Sequence, residues 1–303
     1  MRVCWVVLWG LGLVGCSNIF GVHDPVAGDG DGPPPKDGAA DDAAPPIDGR
    51  PDAAPDAPAA PRGSPLLLSE VALAPSFGEF IEIVNTSEET IDLSQMYVSD
   101  HGQYFRLPVA PPILDANDFI ARFPDGATIG PRQVATIALG TDAQFMSVYG
   151  VPPTFSVAGG AQTMVVVAGD ASPSLTNDGE VIVLFRWDGT SDLVEDADIV
   201  LAGNPSAANT LMNKGGTSQD GIDPDTIAST YRPDANTIKG QNPAPPSNTS
   251  TKRILLEGVH ELHAGTGNGI GGEDETSENT MLTWDKAPFS APTPGVVPAA
   301  LLP

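Results

Sequence analysis

The chain has 303 residues, enough for one or two domains, and its 39 acidic against 14 basic residues give a formal net charge of −25. That charge argues against nucleic acid and against electrostatic attraction to anionic membrane surfaces as targets, because both are themselves negative. With 33 glycines, 31 prolines and only 6% aromatic residues, the composition is typical of a loop-rich β protein with some disorder.

The first 15 residues have the pattern of a bacterial secretory signal. Arg2 supplies a positive charge, and the apolar run at residues 3–14 is too short to span a bilayer. The sequence LVGC at residues 13–16 resembles the lipobox of bacterial lipoproteins. This resemblance implies that Cys16 becomes the first mature residue and carries the acyl chains that anchor the protein in the membrane. Because the next residue, Ser17, is not aspartate, we expect the bacterial cell envelope and its outer membrane as the location.

Residues 16–63 are predicted to form a disordered linker after the lipidated cysteine. Proline, alanine, glycine and aspartate dominate this segment, and it contains no aromatic residue beyond position 20. Such a composition cannot bury enough apolar surface to offset the entropy lost on ordering. We therefore expect a stalk that holds the following domain away from the membrane.

The stretch at residues 66–100 has the pattern of three β-strands. Residues 80–84 alternate between two faces around Ile81 and Ile83, and turn-forming segments flank them at residues 75–78 and 85–89. The third strand is expected to start at Leu93 and to end at residues 99–100. Further strands are predicted at residues 104–107, 164–168, 181–185 and 193–201. Since residues 181–185 are apolar throughout, both faces of that strand are expected to be buried.

Three separate stretches resemble the lamin tail domain, an immunoglobulin-like β-sandwich. They cover residues 70–100, 175–185 and 282–295 and occur in the family's order. The resemblance implies an all-β, immunoglobulin-like sandwich at residues 64–297 with long loop insertions, followed by a tail at 298–303. It also implies a short helix near residues 145–150 and a late strand at residues 250–257. The family-motif residues with structural roles are Glu70, Glu82, Asn85, Asp100, Asn177, Gly179, Arg253, Trp284, Pro292 and Gly295.

Some motif positions have a specific expected role. Glu70, Glu82 and Asn85 are interpreted as acceptors that satisfy N–H groups beside turns. Asn177 and Gly179 suit a tight turn that needs a positive φ. Two positions depart from the family pattern, because Gln95 replaces a usual glycine and Met96 replaces a usual aromatic residue.

Two polar segments, residues 203–251 and 258–279, are interpreted as insertions, and they carry side chains that a metal ion could use. Residues 223–234 do not match an EF-hand, because apolar residues occupy two of its positions. A less regular calcium site is the hypothesis that remains. Its ligands would be Asp220, Asp223 and Asp225, or Glu273 and its acidic neighbours. His260 and His263 are candidates for zinc, although their spacing is one residue shorter than H-E-x-x-H. The alternative is that these acidic loops are solvated and that the protein has no cofactor.

No G-x-S-x-G motif and no phosphate-binding P-loop occurs in the sequence. We therefore expect a membrane-anchored surface lipoprotein that displays a non-catalytic module for binding, adhesion or envelope organisation. Its partner is expected to be a protein or a polysaccharide, in addition to the membrane that it contacts through Cys16. The alternatives are a metal-dependent hydrolase, with its chemistry in the insertions, or a structural subunit of a larger envelope complex.

Overall fold

The computed structural model describes residues 63–203, 214–234, 244–258 and 267–302. The chain divides into two compact units, Met1–Pro55 and Asp56–Pro303, and all the described residues belong to the second. The predicted signal peptide, lipid-bearing Cys16 and linker lie outside the described residues, as do His260 and His263. Within the described part of the chain, no helix combines the length and the apolar character needed to cross a bilayer.

The described residues form short strands joined by long loops, with few helices. The strands are β1 (Leu66–Ala72), β2 (Phe80–Asn85), β3 (Ile91–Asp92), β4 (Met96–Ser99), β5 (Phe119–Arg122), β6 (Thr128–Ile129), β7 (Val134–Ala138), β8 (Phe155–Ser156), β9 (Val165–Gly169), β10 (Gly179–Arg186), β11 (Glu195–Gly203), β12 (Ser218–Gln219), β13 (Ser229–Thr230) and β14 (Thr251–Lys252). The helices are α1 (Asp142–Tyr149) and α2 (Thr280–Thr283), with 3₁₀ turns at Tyr104–Arg106, Ile270–Gly272, Glu275–Ser277 and Ala299–Leu301.

Two five-stranded sheets make up the sandwich. The first sheet has the order β14-β1-β2-β7-β8, and the second has the order β11-β10-β4-β5-β9. The named pairs are antiparallel except for β7 and β8, which are parallel. Two-stranded ladders, β3–β6 and β12–β13, lie in the connections. The predicted all-β, immunoglobulin-like sandwich is confirmed.

One apolar core fills the space between the two sheets. Alternate residues of each strand point into it, as the period of two requires. Each fully buried aliphatic side chain contributes about 1.5–3 kcal/mol to folding. The inner-face residues include Leu68, Ile81 and Ile83 from the first sheet and Val98, Ala121, Ile182, Leu184 and Val200 from the second.

A second apolar layer covers the outer face of the second sheet. There Tyr97 stacks on Phe185 with ring centroids 5.1 Å apart. The loop that follows β4 adds Tyr104 and Phe105, and Phe105 meets Tyr231 edge to face at 5.6 Å. This layer explains why β10 is apolar on both faces, since seven of its eight residues are buried.

Helix α1 closes part of the outer face of the first sheet. Thr141 and Gln144 form a capping box at its start, and Gly150 ends it with a φ of 73°. Phe145 packs on Phe80 of β2 with ring centroids 5.8 Å apart. The short helix implied by the family resemblance is therefore present.

The prediction of a strand at residues 104–107 is wrong, because this segment is a 3₁₀ turn. The N–H of Leu107 donates to the carbonyl of Tyr104 (3.0 Å). Tyr104 and Phe105 are both buried in the same apolar layer, and a strand would have placed these consecutive side chains on opposite faces.

Two other predicted strands are shorter than expected. The strand expected from Leu93 starts only at Met96, because Asp92 accepts hydrogen bonds from the N–H and the hydroxyl of Ser94 (2.8 and 2.6 Å) and bends the chain there. The late strand expected at residues 250–257 is reduced to Thr251–Lys252. One further hydrogen bond joins it to β1, from the N–H of Arg253 to the carbonyl of Ser69 (2.8 Å), and the Arg253 side chain is fully buried.

Candidate binding site

The carboxylates of Glu70 and Glu82 bind the segment near the C-terminus. Glu70 accepts from the N–H and the hydroxyl of Thr293, both at 2.8 Å, and from the Ser250 hydroxyl at 2.5 Å. Glu82 accepts from the N–H of Gly295 at 2.6 Å. Pro292 belongs to this same segment. These two glutamates hold the end of the domain against its first two strands.

Other motif residues fix turns. Asn85 accepts from the N–H of Ser87 and donates to three carbonyls, including that of Gly130. Asp100 accepts from the N–H of Phe119 (2.7 Å). Gly179 has the expected positive φ, 149°, whereas Asn177, in the same turn, does not. The positive φ expected at Asn177 is not found, because Asn177 and Asp178 are the central residues of a β-turn closed by the N–H of Gly179, which donates to the carbonyl of Thr176 (3.2 Å), and neither has a positive φ.

Arg253 is the centre of a buried ionic cluster. Its guanidinium donates to Asp198 and to Glu278, each at 2.6 Å, and its Nε donates to the carbonyl of Leu68 (2.8 Å). The indole of Trp284 lies 5.1 Å away as a cation–π partner. Burial raises the pKa of Asp198 to about 6, although the charge of Arg253 opposes this. These contacts connect the last part of the domain to β1 and β11.

The structure places two of the predicted calcium ligands in one cluster of candidate ligand oxygens, which does not include Asp225 or Glu273. Asp220 and Asp223 join Asp192, with candidate ligand oxygens within 4.8 Å of one another. Asp225 instead accepts from the N–H of Ile227 (2.7 Å). Partial desolvation and the neighbouring carboxylates raise the pKa of Asp220. Glu273 belongs to none of the metal-like clusters among the described residues.

Two further groups with metal-like composition occur. Asp198, Glu257 and Glu275 cluster in the interior next to Arg253, and His101 clusters with two aspartates. His101 accepts the N–H of Gln103 through Nδ1 (3.1 Å). A metal ion that used Nδ1 would have to displace this hydrogen bond.

A cavity of about 530 Å³ lies where the hairpin between β10 and β11 meets the loop before β4. It is lined by an aromatic ring, carboxylates, an amide and one guanidinium. The principal lining residues are Gln95, Arg186, Trp187, Asp188, Asp192 and Glu195. We call this the Trp187 pocket. Gln95, which replaces the family's usual glycine, is one of these lining residues.

The indole of Trp187 is fixed in position. Its Nε1–H donates to the carbonyl of Ser191 (2.8 Å), and its backbone N–H donates to the carbonyl of Gln95 (3.0 Å). Its ring lies against Tyr97, with centroids 6.2 Å apart. Because this partly buried ring is already held, a ligand that contacts it loses little side-chain entropy.

Two carboxylates of the pocket, those of Asp188 and Asp192, are ionised at neutral pH. Hydrogen bonds from Ser191 and Thr190 lower the pKa of Asp188 to about 2. The N–H of Gly221 and the Ser229 hydroxyl lower the pKa of Asp192. Three acids face one base, Arg186.

Arg186 is paired across the hairpin with Glu195, whose carboxylate accepts from Nε at 2.9 Å. The pocket therefore keeps a net negative charge. Sequence reasoning missed this pocket, although an aromatic residue near two aspartates, between the strands predicted at residues 181–185 and 193–201, was an available signal.

Residues 59–220 match the Lamin Tail Domain family, and this match covers more than half of the chain. The protein belongs to the lamin tail domain family. The match includes the motif residues from Glu70 to Gly179, whereas Arg253 and Trp284 lie beyond it. The lamin tail domain is a non-catalytic, immunoglobulin-like fold, and this membership suggests that the protein is not an enzyme.

One solved structure shares similarity over most of the chain. It is a DUF4876 family protein from Bacteroides thetaiotaomicron, 16% identical, with a TM-score of 0.42 over 80% of this chain and 75% of that chain. Comparison with curated proteins gave no match.

Proposed function

We propose that the protein is a lipid-anchored lipoprotein of the bacterial outer membrane whose lamin tail domain is a non-catalytic binding module. The Trp187 pocket is its ligand site. The observation that carries this proposal is the combination of a fixed indole with carboxylates that stay ionised at neutral pH. The lipobox at Cys16 and the composition of the linker support the anchoring.

The ligand class that fits the pocket is a cationic side chain of a partner protein. An ammonium or guanidinium group over an aromatic face gains about 0.5–2 kcal/mol, depending on how far it is desolvated. Asp188 and Asp192 add direct attraction, and the one base in the pocket is already neutralised by Glu195. The overall charge of −25 also attracts basic partners.

The test uses the full chain in detergent and a probe with a single cation, N-acetyl-arginine amide, measured by calorimetry. Trp187→Ala should weaken binding roughly tenfold, because about 1.4 kcal/mol corresponds to a factor of ten. The matched control is Phe77→Ala, since Phe77 is also aromatic and is 58% exposed elsewhere on the domain. Both variants keep the net charge, so non-specific attraction is the same in each.

Equal binding by all three proteins would refute the pocket as the cation site. Binding of a neutral oligosaccharide, abolished by Trp187→Ala and insensitive to salt, would replace the cationic partner with a polysaccharide, because an aromatic ring can also stack on a sugar. Salt-sensitive binding of the arginine probe alone supports the proposal.

The anchoring is tested separately. Mass spectrometry of the mature protein should find an acylated Cys16, and Cys16→Ser should move the protein from the membrane fraction to the soluble fraction. A mature protein without acyl chains would refute this part. For the alternative, a metal-dependent hydrolase, the described residues provide no observation that favours it, and His260 and His263 lie outside them.

A further inference from the structure

Lys214 is buried beside two carboxylates on the outer side of the second sheet. Its side chain has no exposed surface, and its Nζ lies 2.5 Å from Oδ2 of Asp196 on β11 and 3.4 Å from Oδ1 of Asp234. Both aspartate side chains are almost fully buried, at 2% and 1% exposure. A lysine in this position is unusual, because lysine is rarely buried completely.

The surrounding residues fix the three groups and exclude water. The hydroxyl of Tyr104 donates to the other oxygen of Asp196, Oδ1, at 2.6 Å. Asp234 accepts from the backbone N–H of Lys214 (2.8 Å) and from the amide of Asn268 (2.7 Å). The rings of Tyr104 and Tyr231 lie 5.6 and 5.9 Å from Nζ.

We propose that Lys214 and Asp196 condense within the folded protein to form an intramolecular amide bond, with Asp234 as the group that moves the proton. The geometry supports attack by the amine. Reacting atoms about 3–3.5 Å apart are positioned for reaction, and a nitrogen in contact with one carboxylate oxygen lies near that distance from the carboxylate carbon.

The reaction is balanced without any co-reactant. The Lys214 ammonium transfers one proton to Oδ2 of Asp196, and the neutral amine then attacks Cγ, forming the N–C bond. Negative charge develops on Oδ1, where the Tyr104 hydroxyl already donates, and Asp234 takes a second proton from the nitrogen. When the carbonyl re-forms, the bond from Cγ to Oδ2 breaks, and Oδ2 leaves as water with the proton from Asp234. The products are one amide, one water molecule and the regenerated Asp234 carboxylate.

Electrostatics favour the product in this location. Burial raises the pKa of Asp196, and Lys214 only partly opposes this effect. Burial disfavours the Lys214 ammonium, but the charges of Asp196 and Asp234 outweigh it and raise the pKa of that group. The unreacted pair is thus ionic, and keeping two charges in a dry interior has a large desolvation cost. A neutral amide removes these two charges, and the Asp234 carboxylate that remains keeps its hydrogen bonds from the Lys214 backbone N–H and the Asn268 amide.

Tryptic peptides of the full chain test the proposal. Trypsin would cut an unmodified chain after Lys214 and yield residues 187–214 and 215–239, because Pro233 protects Arg232 and the next site is Lys239. The amide blocks cleavage at Lys214, so we expect one peptide, residues 187–239, lighter than its sequence mass by one water. Fragmentation should place the loss between Asp196 and Lys214. Complete cleavage at Lys214 in folded, aged protein would overturn the proposal.

Three variants separate the amide from other losses of water. Asp188 and Gly189 lie in the same peptide and can lose water by forming a cyclic imide. Lys214→Arg keeps the positive charge and can still form the imide, but it cannot form the amide. Any loss of water that this variant still shows therefore does not come from the amide. Asp234→Asn should abolish the amide, and Tyr104→Phe should slow its formation. Wild-type protein decides the question even if a variant does not fold, and the result is independent of ligand binding at the Trp187 pocket.

Discussion

Glu70 and Glu82 lie directly opposite each other on β1 and β2, and both accept backbone hydrogen bonds from residues 293–295. Two buried carboxylates in register are unfavourable when both are ionised. Burial, and to a lesser extent the charge of Glu70, raises the pKa of Glu82 to about 7. The pair therefore makes the stability of the domain depend on pH.

We expect the free energy of unfolding to fall as the pH rises from about 4.5 to about 7. Glu82 binds its proton more tightly in the folded state than in the unfolded state, where its pKa is near 4.5. Between these two pKa values the folded state keeps a proton that the unfolded state has released, so each rise in pH favours the unfolded state until Glu82 also ionises in the folded protein. For Glu82 alone this corresponds to about 3 kcal/mol. Burial also raises the pKa values of Glu79 and Glu180 to about 7, so both residues should change the stability in the same direction.

Urea unfolding at pH 5 and pH 7.5 measures this effect. The Glu82→Gln variant keeps an acceptor for Gly295 and removes the titration, so its stability should change less between the two pH values. A wild-type protein that is equally stable at both values, or more stable at pH 7.5, would contradict the expectation.

Glu70→Ala should destabilise the domain by about 2–4 kcal/mol, because three hydrogen bonds to a buried carboxylate are lost and the N–H of Thr293 is left without its acceptor. Chemical denaturation gives the magnitude, and proteolysis should cut the C-terminal segment first. Glu88→Ala is the matched control, since Glu88 is paired with Arg132 at the surface, where solvent screens the ion pair, and its loss should have a much smaller effect. Similar losses in the two variants would show that the C-terminal contacts contribute little.

Arg253→Met should cost about 3–5 kcal/mol, because it leaves Asp198 and Glu278 buried without their cation. Adding Asp198→Asn should recover part of that loss. A double-mutant cycle measured by denaturation tests this coupling. Strict additivity of the two substitutions would mean that the charges do not interact.

Thr141→Ala should cost about 1 kcal/mol through loss of the capping box at the start of α1. Ser147→Ala in the same helix serves as the control, since Ser147 is exposed and only bonds back to the carbonyl of Gln144. It should change stability by a few tenths of a kcal/mol at most. Thermal unfolding of both variants is sufficient, and equal midpoints would argue against the cap.

Local patterns predicted those parts of the fold where one physical requirement dominates. Around Ile81 and Ile83, a strand with a buried inner face has only one register that keeps the apolar residues inside. The same reasoning failed at Tyr104 and Phe105, because it assumed that neighbouring side chains must face opposite ways. The second apolar layer, which buries both, is assembled from segments far apart in sequence.

The candidate sites were less predictable than the fold for the same reason. Asp220 and Asp223 could be chosen from their spacing, but their third neighbour, Asp192, lies on another hairpin. Likewise, the contact between Lys214 and Asp196 depends on how an insertion lies against the second sheet. Composition and periodicity carry no information on such long-range placement.

The position of β14 beside β1 also affects how the protein is made. Ser250 follows Glu70 by 180 residues, and a ribosome adding about 5–20 residues per second needs roughly 10–40 s to bridge that interval. Throughout that time the first strand presents one open edge, which invites pairing with other chains. The newly made chain therefore risks pairing with other chains unless it stays unfolded or shielded until translation is almost over.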